Sequence, residues 1–350
     1  KLGDGGREPE EVTFCGGGLE AMGWSPEQEV VVFVDCTLNV VTMNSAYDPI
    51  NEVSLQEDTF GDREFMSVGW GKKETQFHGS EGKGARTKKK EEPVEVDLGS
   101  LDRRVKISWR EDGELFVVGF LGPYGRAFKV FSKEGALQFT SEKCCGLEVA
   151  LGWRPSGLWI ATPQVLKDKY VVALFEKNGL KHREIELPFN RAEEVVEGLH
   201  WSNDSEVLIV RTFKTSTVKN CLYFYTIGNY HWYVKQYLEF DQRILGVQWD
   251  AKYSEGRTLH VLLENGQYEV SRWDFAVDHS TGQARSDESL VAVIDGSQVL
   301  LTNFRGVVVP PPMCGFTLKN DRQINGVGFL RNPEGPWDSN FFFVVDSTNK

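Results

Sequence analysis

The chain has no apolar run long enough to cross a membrane as a helix. Its apolar stretches, such as Val30–Val34 and Phe341–Val345, stay far below the ~20 residues that a spanning helix needs. The start, Lys1-Leu-Gly-Asp-Gly-Gly-Arg-Glu-Pro-Glu10, has no apolar signal core and no initiator Met. It reads as a fragment or a processed chain, with no membrane contact expected. Cysteine is scarce: six in 350 residues, with no C-x-x-C pair. That excludes a disulfide scaffold and points to reduced thiols in the cytoplasm or the nucleus. The six histidines never pair at zinc-ligand spacing with each other or with cysteine. Basic residues are outnumbered 39 to 51, a net charge of −12, which opposes tight binding of tRNA or duplex by the chain as a whole. A long amphipathic helix is also missing. The best window, Arg191–Leu199, contains Gly198 and reads as a loop followed by a strand.

Aromatics, at 12%, and 35 glycines are plentiful, a composition that favours strands and tight turns. At this length the expectation is two domains or one large all-β domain.

A repeat organises the chain. Trp24, Trp70, Trp109, Trp153, Trp201 and Trp249 follow one another at spacings of 46, 39, 44, 48 and 48. After Trp24, Trp109, Trp153 and Trp201 comes a short polar turn and then a second apolar run, which is hairpin grammar. A second marker keeps step: Phe131 and Phe175 each lie 22 residues after their Trp, while Tyr225 and Trp273 lie 24 after theirs. Units of this length with three or four short strands predict an all-β fold of WD40-like β-propeller blades. Trp109, Trp153, Trp201 and Trp249 are expected to be largely buried at equivalent blade positions. Two later units lack the Trp, one from Leu290 to Leu318 and one from Ile324 to Val345. Residues 71–104 hold too few apolar residues for strands and read as an insertion or long loop.

Chemical motifs are weak. Gly16-x-Gly18-x-x-Ala21 matches a dinucleotide loop by letter, but Trp24-Ser-Pro26 follows where a helix should start. Gly79–Gly84 fails the phosphate-loop pattern at two positions. No serine-nucleophile elbow occurs. The positions after the repeat Trp residues are Ser25, Arg110, Arg154, Ser202 and Asp250, which is no convergent catalytic set. No catalytic residue, metal ligand or cofactor site is assigned. The basic cluster Lys83, Arg86, Lys88, Lys89 and Lys90 is answered at once by Glu91, Glu92, Glu95 and Asp97, and reads first as a solvated loop. Tyr230-His-Trp-Tyr233 is suited to stacking bases, but cross-strand packing is the plainer reading in a β protein. Pro310-Pro311-Pro312 forces an extended stretch that covers a sheet edge or offers a docking surface.

Five segments occur in a telling order: Gly69-Trp-Gly-Lys-Lys-Glu-Thr-Gln-Phe-His-Gly-Ser-Glu-Gly82, Ile107-Ser-Trp-Arg-Glu-Asp-Gly113, Phe175-Glu-Lys-Asn-Gly179, Gly228-Asn-Tyr-His-Trp-Tyr-Val-Lys-Gln236 and Val308-Val-Pro-Pro-Pro-Met-Cys314. Together they resemble the Elongator complex protein 1 family, the largest Elongator subunit, over nearly the whole chain from about Gly18. The resemblance implies two successive propellers. Residues 1–240 would hold the C-terminal blades of the first, and residues 241–350 the first blades of the second. The Trp spacing continues unbroken across that boundary, so a single ring is the alternative. The resemblance also implies a non-catalytic scaffold in the modification of tRNA wobble uridines. Its partners would be the catalytic subunit, which carries radical-SAM and acetyltransferase chemistry, and a second propeller subunit, with tRNA met only through the complex. The family's dimerisation region and basic tRNA-binding tail have no counterpart here. Candidate partner-contact residues are Lys72, Lys73, His78, Lys88, Lys89, Lys90, Pro310, Pro311 and Pro312. The alternative function is a propeller-borne ligand-binding or hydrolytic domain.

Overall fold

The computed structural model describes residues 17–56, 102–228, 231–250, 257–274, 277–281, 285–309, 313–330, 340–346, 348 and 350. Among these residues every regular element is a strand. The strands form antiparallel sheets in which each strand pairs with the next in sequence. The first sheet holds β1 (Leu19–Trp24), β2 (Val30–Asp35), β3 (Asn39–Asn44) and β4 (Pro49–Ser54). The second holds β5 (Lys106–Trp109), β6 (Leu115–Gly122), β7 (Gly125–Ser132) and β8 (Leu137–Thr140). In the third are β9 (Gly152–Trp153), β10 (Ile160–Val165), β11 (Tyr170–Phe175) and β12 (Lys181–Glu186). The fourth comprises β13 (Glu194–Trp201), β14 (Val207–Lys214), β15 (Lys219–Gly228) and β16 (His231–Phe240). Three strands make the fifth: β17 (Ile244–Trp249), β18 (Arg257–Leu263) and β19 (Tyr268–Trp273). The sixth contains β20 (Val277–His279), β21 (Leu290–Asp295), β22 (Gln298–Asn303) and β23 (Phe316–Lys319), and the seventh pairs β24 (Ile324–Phe329) with β25 (Phe342–Asp346). These are the propeller blades that the repeat predicts.

The position of each strand within its sheet follows from its composition. Among the central strands β2 is a continuous β-branched and aromatic run, and β11 is buried along its whole length. Such strands are stable only when both faces are covered. The fourth strand β12, Lys-His-Arg-Glu-Ile-Glu, is the opposite: charged, mostly open to solvent, and suited to a sheet edge. Covering comes from neighbouring sheets. Phe116, Val118 and Phe120 of β6 join Val30, Val32 and Val34 of β2 in one apolar core. Val117 points the other way and joins Trp153, Ile160 and Phe175 of the third sheet. Ile294 and Leu301 pack likewise against Ile324 and Phe329.

The repeat residues occupy equivalent places. Trp24, Trp109, Trp153, Trp201 and Trp249 each end the first strand of their sheet, and Phe329 ends β24 at the same point. Phe131, Phe175, Tyr225 and Trp273 all lie in third strands. Phe131 and Phe175 are fully buried. Trp153, Trp201 and Trp249 are also buried, whereas Trp109 is only half-buried, in part a departure from expectation. Its ring lies tilted on Phe116 at 4.8 Å, against the edge of the core between the first two sheets. Trp24 stays 37% exposed. It meets Tyr47 edge-on at 6.1 Å, beside a small cluster of Val31, Phe33 and Met43.

The chain divides into two compact units at Leu187/Pro188. The expected boundary at 240/241 falls inside the second unit, where Leu222 and Phe224 share one core with Ile244, Trp249 and Leu259. The Ile244 N–H also donates to Asn220 Oδ1 at 3.4 Å. Packing is therefore continuous across the link from β16 to β17.

Trp153→Ala is expected to cost about 3–5 kcal/mol, as large aromatic truncations in cores do. Trp24→Ala should cost about 1 kcal/mol or less, since its ring is partly solvated. Urea unfolding of both variants measures the contrast, and equal midpoints would contradict the assigned burial.

Candidate interaction site

Lys72, Lys73, His78, Lys88, Lys89, Lys90, Pro310, Pro311 and Pro312 lie outside the described residues, as do Trp70 and most of the 71–104 segment. The described residues flanking the proline run are strongly exposed: Val308 is 87% accessible, and Phe304, Val307, Met313 and Phe316 are also open. A contiguous set of exposed apolar side chains marks an interaction surface more often than isolated ones do.

The residues after the repeat aromatics build one recurring turn. Ser25, Arg110, Arg154 and Ser202 each donate their backbone N–H to the carbonyl five residues on, at 2.7–3.0 Å. Each also accepts from the N–H three residues on, at 2.8–3.0 Å. That third residue is left-handed in every case: Gln28 at φ 60, Gly113 at 71, Gly157 at 79 and Ser205 at 66. The Ser25 hydroxyl accepts from the N–H groups of Glu29 and Val30, and the Ser202 hydroxyl accepts from Val207 N–H at 2.9 Å. Arg110 instead pairs with Asp112 at 2.6 Å and lies 5.8 Å above the Trp153 ring. In the second unit Arg257 pairs with Asp204 at 2.5 Å, and the Asn203 amide donates to the Asp250 carbonyl. These groups are committed to holding turns, and no nucleophile–base pair emerges from them. Among the described residues no three His, Cys, Asp or Glu side chains converge as metal ligands.

A buried polar cluster in the fourth sheet escaped sequence reasoning. Glu194, only 3% exposed, accepts hydrogen bonds from Tyr223 at 2.9 Å and from Thr212 at 2.8 Å, with the Lys214 ammonium 3.5 Å away. Tyr237 donates to Glu239 at 2.6 Å and sits 3.1 Å from the Cys221 sulfur. Burial, with Glu194 beside it, raises the Tyr223 phenol above its ordinary range, and burial also raises the Cys221 thiol. Burial and nearby Glu142 push the Cys144 thiol up to about 11. These groups stay protonated at neutral pH and are poor nucleophiles. The cluster ties strands together; Glu194 lies eighteen residues from Thr212 and 29 from Tyr223, so no local motif announced it.

The second unit also contains a cavity of about 230 Å³ bounded by the fourth to seventh sheets. Phe224, Trp249, Trp273 and Ile294 form its apolar wall. Lys235, Arg257, Arg272 and Asp274 supply its charges. Sequence analysis assigned no role to any of these except Trp249 and Trp273 as repeat markers.

Comparison with known proteins follows the fold. A family model described as the ELP1 first N-terminal beta-propeller matches residues 5–252, and one described as the ELP1 N-terminal second beta-propeller matches residues 293–350. Elongator complex protein 1 of Drosophila melanogaster is 49% identical over 331 residues, covering 93% of this chain and 26% of that protein. The Mus musculus protein of the same name is 39% identical over 347 residues, or 95% of this chain and 25% of its own length. The Saccharomyces cerevisiae one is 32% identical over 339 residues, covering 85% of this chain and 24% of that protein. The chain thus spans about a quarter of the length of the curated relatives it matches.

Asp204 gives a pH test of the turn chemistry. Burial raises its carboxyl pKa, but the Ser202 hydroxyl, the Glu206 N–H and Arg257 outweigh that and hold it below the ordinary 3.8. A depressed folded pKa means stabilisation that is fully present above 3.8 and lost as pH falls through the lower folded value. Asp204→Asn should therefore lower stability by roughly 1 kcal/mol at neutral pH. Its deficit should shrink in urea titrations below pH 3.8. A deficit that stays constant with falling pH would show that the carboxylate charge is not what stabilises the turn.

Proposed function

The chain belongs to the Elongator complex protein 1 family, and from that premise we propose that it is a non-catalytic scaffold segment of the Elongator complex. In this reading it holds the catalytic subunit, meets a second propeller subunit, and supports wobble-uridine modification without touching the reacting atoms. The family match over most of the chain carries the proposal. The packing role of the turn residues supports it, because Arg110, Ser202, Asp204 and Arg257 are taken up in holding the sheets. Propeller blades leave loops and fourth strands free to present to partners, while fold alone does not fix function.

Partner contact is assigned in this proposal to Lys72, Lys73, His78, Lys88, Lys89 and Lys90 and to the Pro310–Pro312 run with its exposed apolar flanks. The cytoplasm, and also the nucleus, is the compartment proposed. Transfer RNA is met through the assembled complex, since a net charge of −12 disfavours phosphate approach to this chain alone.

The test is reconstitution. The chain should co-elute with the catalytic subunit and show no turnover by itself. Its own affinity for tRNA should be weak and should fall steeply between about 50 and 200 mM salt, as counterion release requires. Replacing Lys88, Lys89 and Lys90 by Ala should remove most of that residual affinity. Turnover without partner subunits, or tight tRNA binding that resists salt, would overturn the scaffold reading.

A further inference from the structure

The cavity of the second unit is lined by three cationic side chains and one carboxylate. Two of its indoles differ. Trp249 donates its N–H to the His200 carbonyl at 3.3 Å, whereas the buried Trp273 N–H finds no acceptor among the described residues. The indoles of Trp109 and Trp153 share this condition, so the Trp273 N–H is a reporter beside the cavity and not a donor into it. Lys235 is half-buried, forms no ion pair among the described residues, and lies 5.6 Å from the Tyr233 ring. Burial holds its pKa below the ordinary lysine value, with Asp295 only partly offsetting this. Arg272 lines the same space, is exposed at its mouth, and also has no ion pair among the described residues. Arg257 is already neutralised by Asp204. The Gln236 amide is engaged with Asn325 Oδ1. Asp274 is the single carboxylate of the wall.

The remaining wall is flat and apolar. Phe224 and Trp273 lie 4.1 Å apart at 30°, with Ile294 and Ile324 also lining the space. At about 230 Å³ the cavity is below the roughly 300–1,000 Å³ of pockets for drug-sized ligands. We propose that this cavity binds a small organic oxyanion, a carboxylate or phosphate ester carried on a flat apolar body. The oxyanion accepts from Lys235 and Arg272, and the body fills the space beside Phe224. Asp274 in the wall, with Asp295 and Asp204 near it, weakens the attraction of an anion, so contact hydrogen bonds within the cavity provide the affinity rather than net charge. The site stands apart from the scaffold reading and does not depend on it.

The indole N–H of Trp273, assigned with a Trp273→Phe variant, reports occupancy in a proton–nitrogen NMR spectrum of the 350-residue chain. The probes are phenyl phosphate, benzoate, inorganic phosphate and phenol. Phenyl phosphate or benzoate should shift this resonance, and the tighter of the two identifies the oxyanion. Inorganic phosphate and phenol, each lacking one half of the chemistry, should bind at least about tenfold more weakly. Lys235→Met and Arg272→Gln should each weaken binding by about tenfold, with Lys235→Arg within about threefold of the unaltered chain. Arg272 is exposed, so Arg272→Gln tests the site even if Lys235→Met unfolds the sheet. No shift of the Trp273 resonance with either organic oxyanion would overturn the proposal. So would equal binding by the Arg272→Gln chain, or occupancy by a Glu-containing peptide that excludes both small molecules.

Discussion

A four-stranded sheet whose central strands are apolar on both faces cannot stand in water alone. That constraint governs most of this protein. In β6 the side chains alternate between two cores: Phe116, Val118 and Phe120 face the first sheet, and Val117 faces the third. The second sheet is therefore covered by the first on one face and the third on the other, and removing either would expose an apolar face. The same logic sorts the strands. In the third sheet the buried runs of β10 and β11 are central, and the charged β12 sits at the edge, where unpaired backbone groups are best shielded by polar side chains.

Stacked sheets need their first strands to end and turn in the same way, and two side-chain solutions serve one backbone geometry. Where the fourth turn residue is not glycine, as at Gln28 and Ser205, the left-handed conformation is costly. The residue opening those turns is Ser25 or Ser202, whose hydroxyl accepts backbone N–H groups and stabilises the bend. Where glycine takes the left-handed position, as at Gly113 and Gly157, no such help is required. The opening residue is then Arg110 or Arg154, and Arg110 is free to lie over the neighbouring Trp153. Gly157 matters twice, because a Cβ there would sit 2.9 Å from Arg110 Cδ.

The blades were legible because their markers are large, local and periodic. Trp109 to Trp153 and Phe131 to Phe175 share one spacing since the Trp residues end first strands and the Phe residues lie near the ends of third strands in successive sheets. The Trp-less units were readable for a related reason: the apolar runs from Leu290 and from Ile324 keep their strand length without the marker. The loop-plus-strand reading of Arg191–Leu199 also agrees with β13. Trp232, read as cross-strand packing, meets Trp201 edge-on at 5.6 Å. What periodicity could not reveal were contacts set by register. Glu194, Thr212 and Tyr223 meet only because β13, β14 and β15 align them. Trp109 shows the limit from the other side: its place in the repeat was readable, but how far its ring would be covered depended on the neighbouring sheet.

The cavity lies where β16 meets the later sheets. β15 and β16 each run ten residues, where second and third strands of the first and third sheets run six. β16 packs against β21. It brings the Gln236 amide to Asn325 of β24. The turn after β21 closes on the same strand, for a Cβ on Gly296 would fall 2.5 Å from the Val234 carbonyl oxygen. Lys235, between Val234 and Gln236, is thereby fixed at the junction of four sheets rather than on an open edge. A lysine on an ordinary fourth strand, like Lys181 of β12 with Glu184 at 3.1 Å, finds a carboxylate near the surface. Lys235 has no such carboxylate among the described residues, and its ammonium lies 5.6 Å from the Tyr233 ring instead.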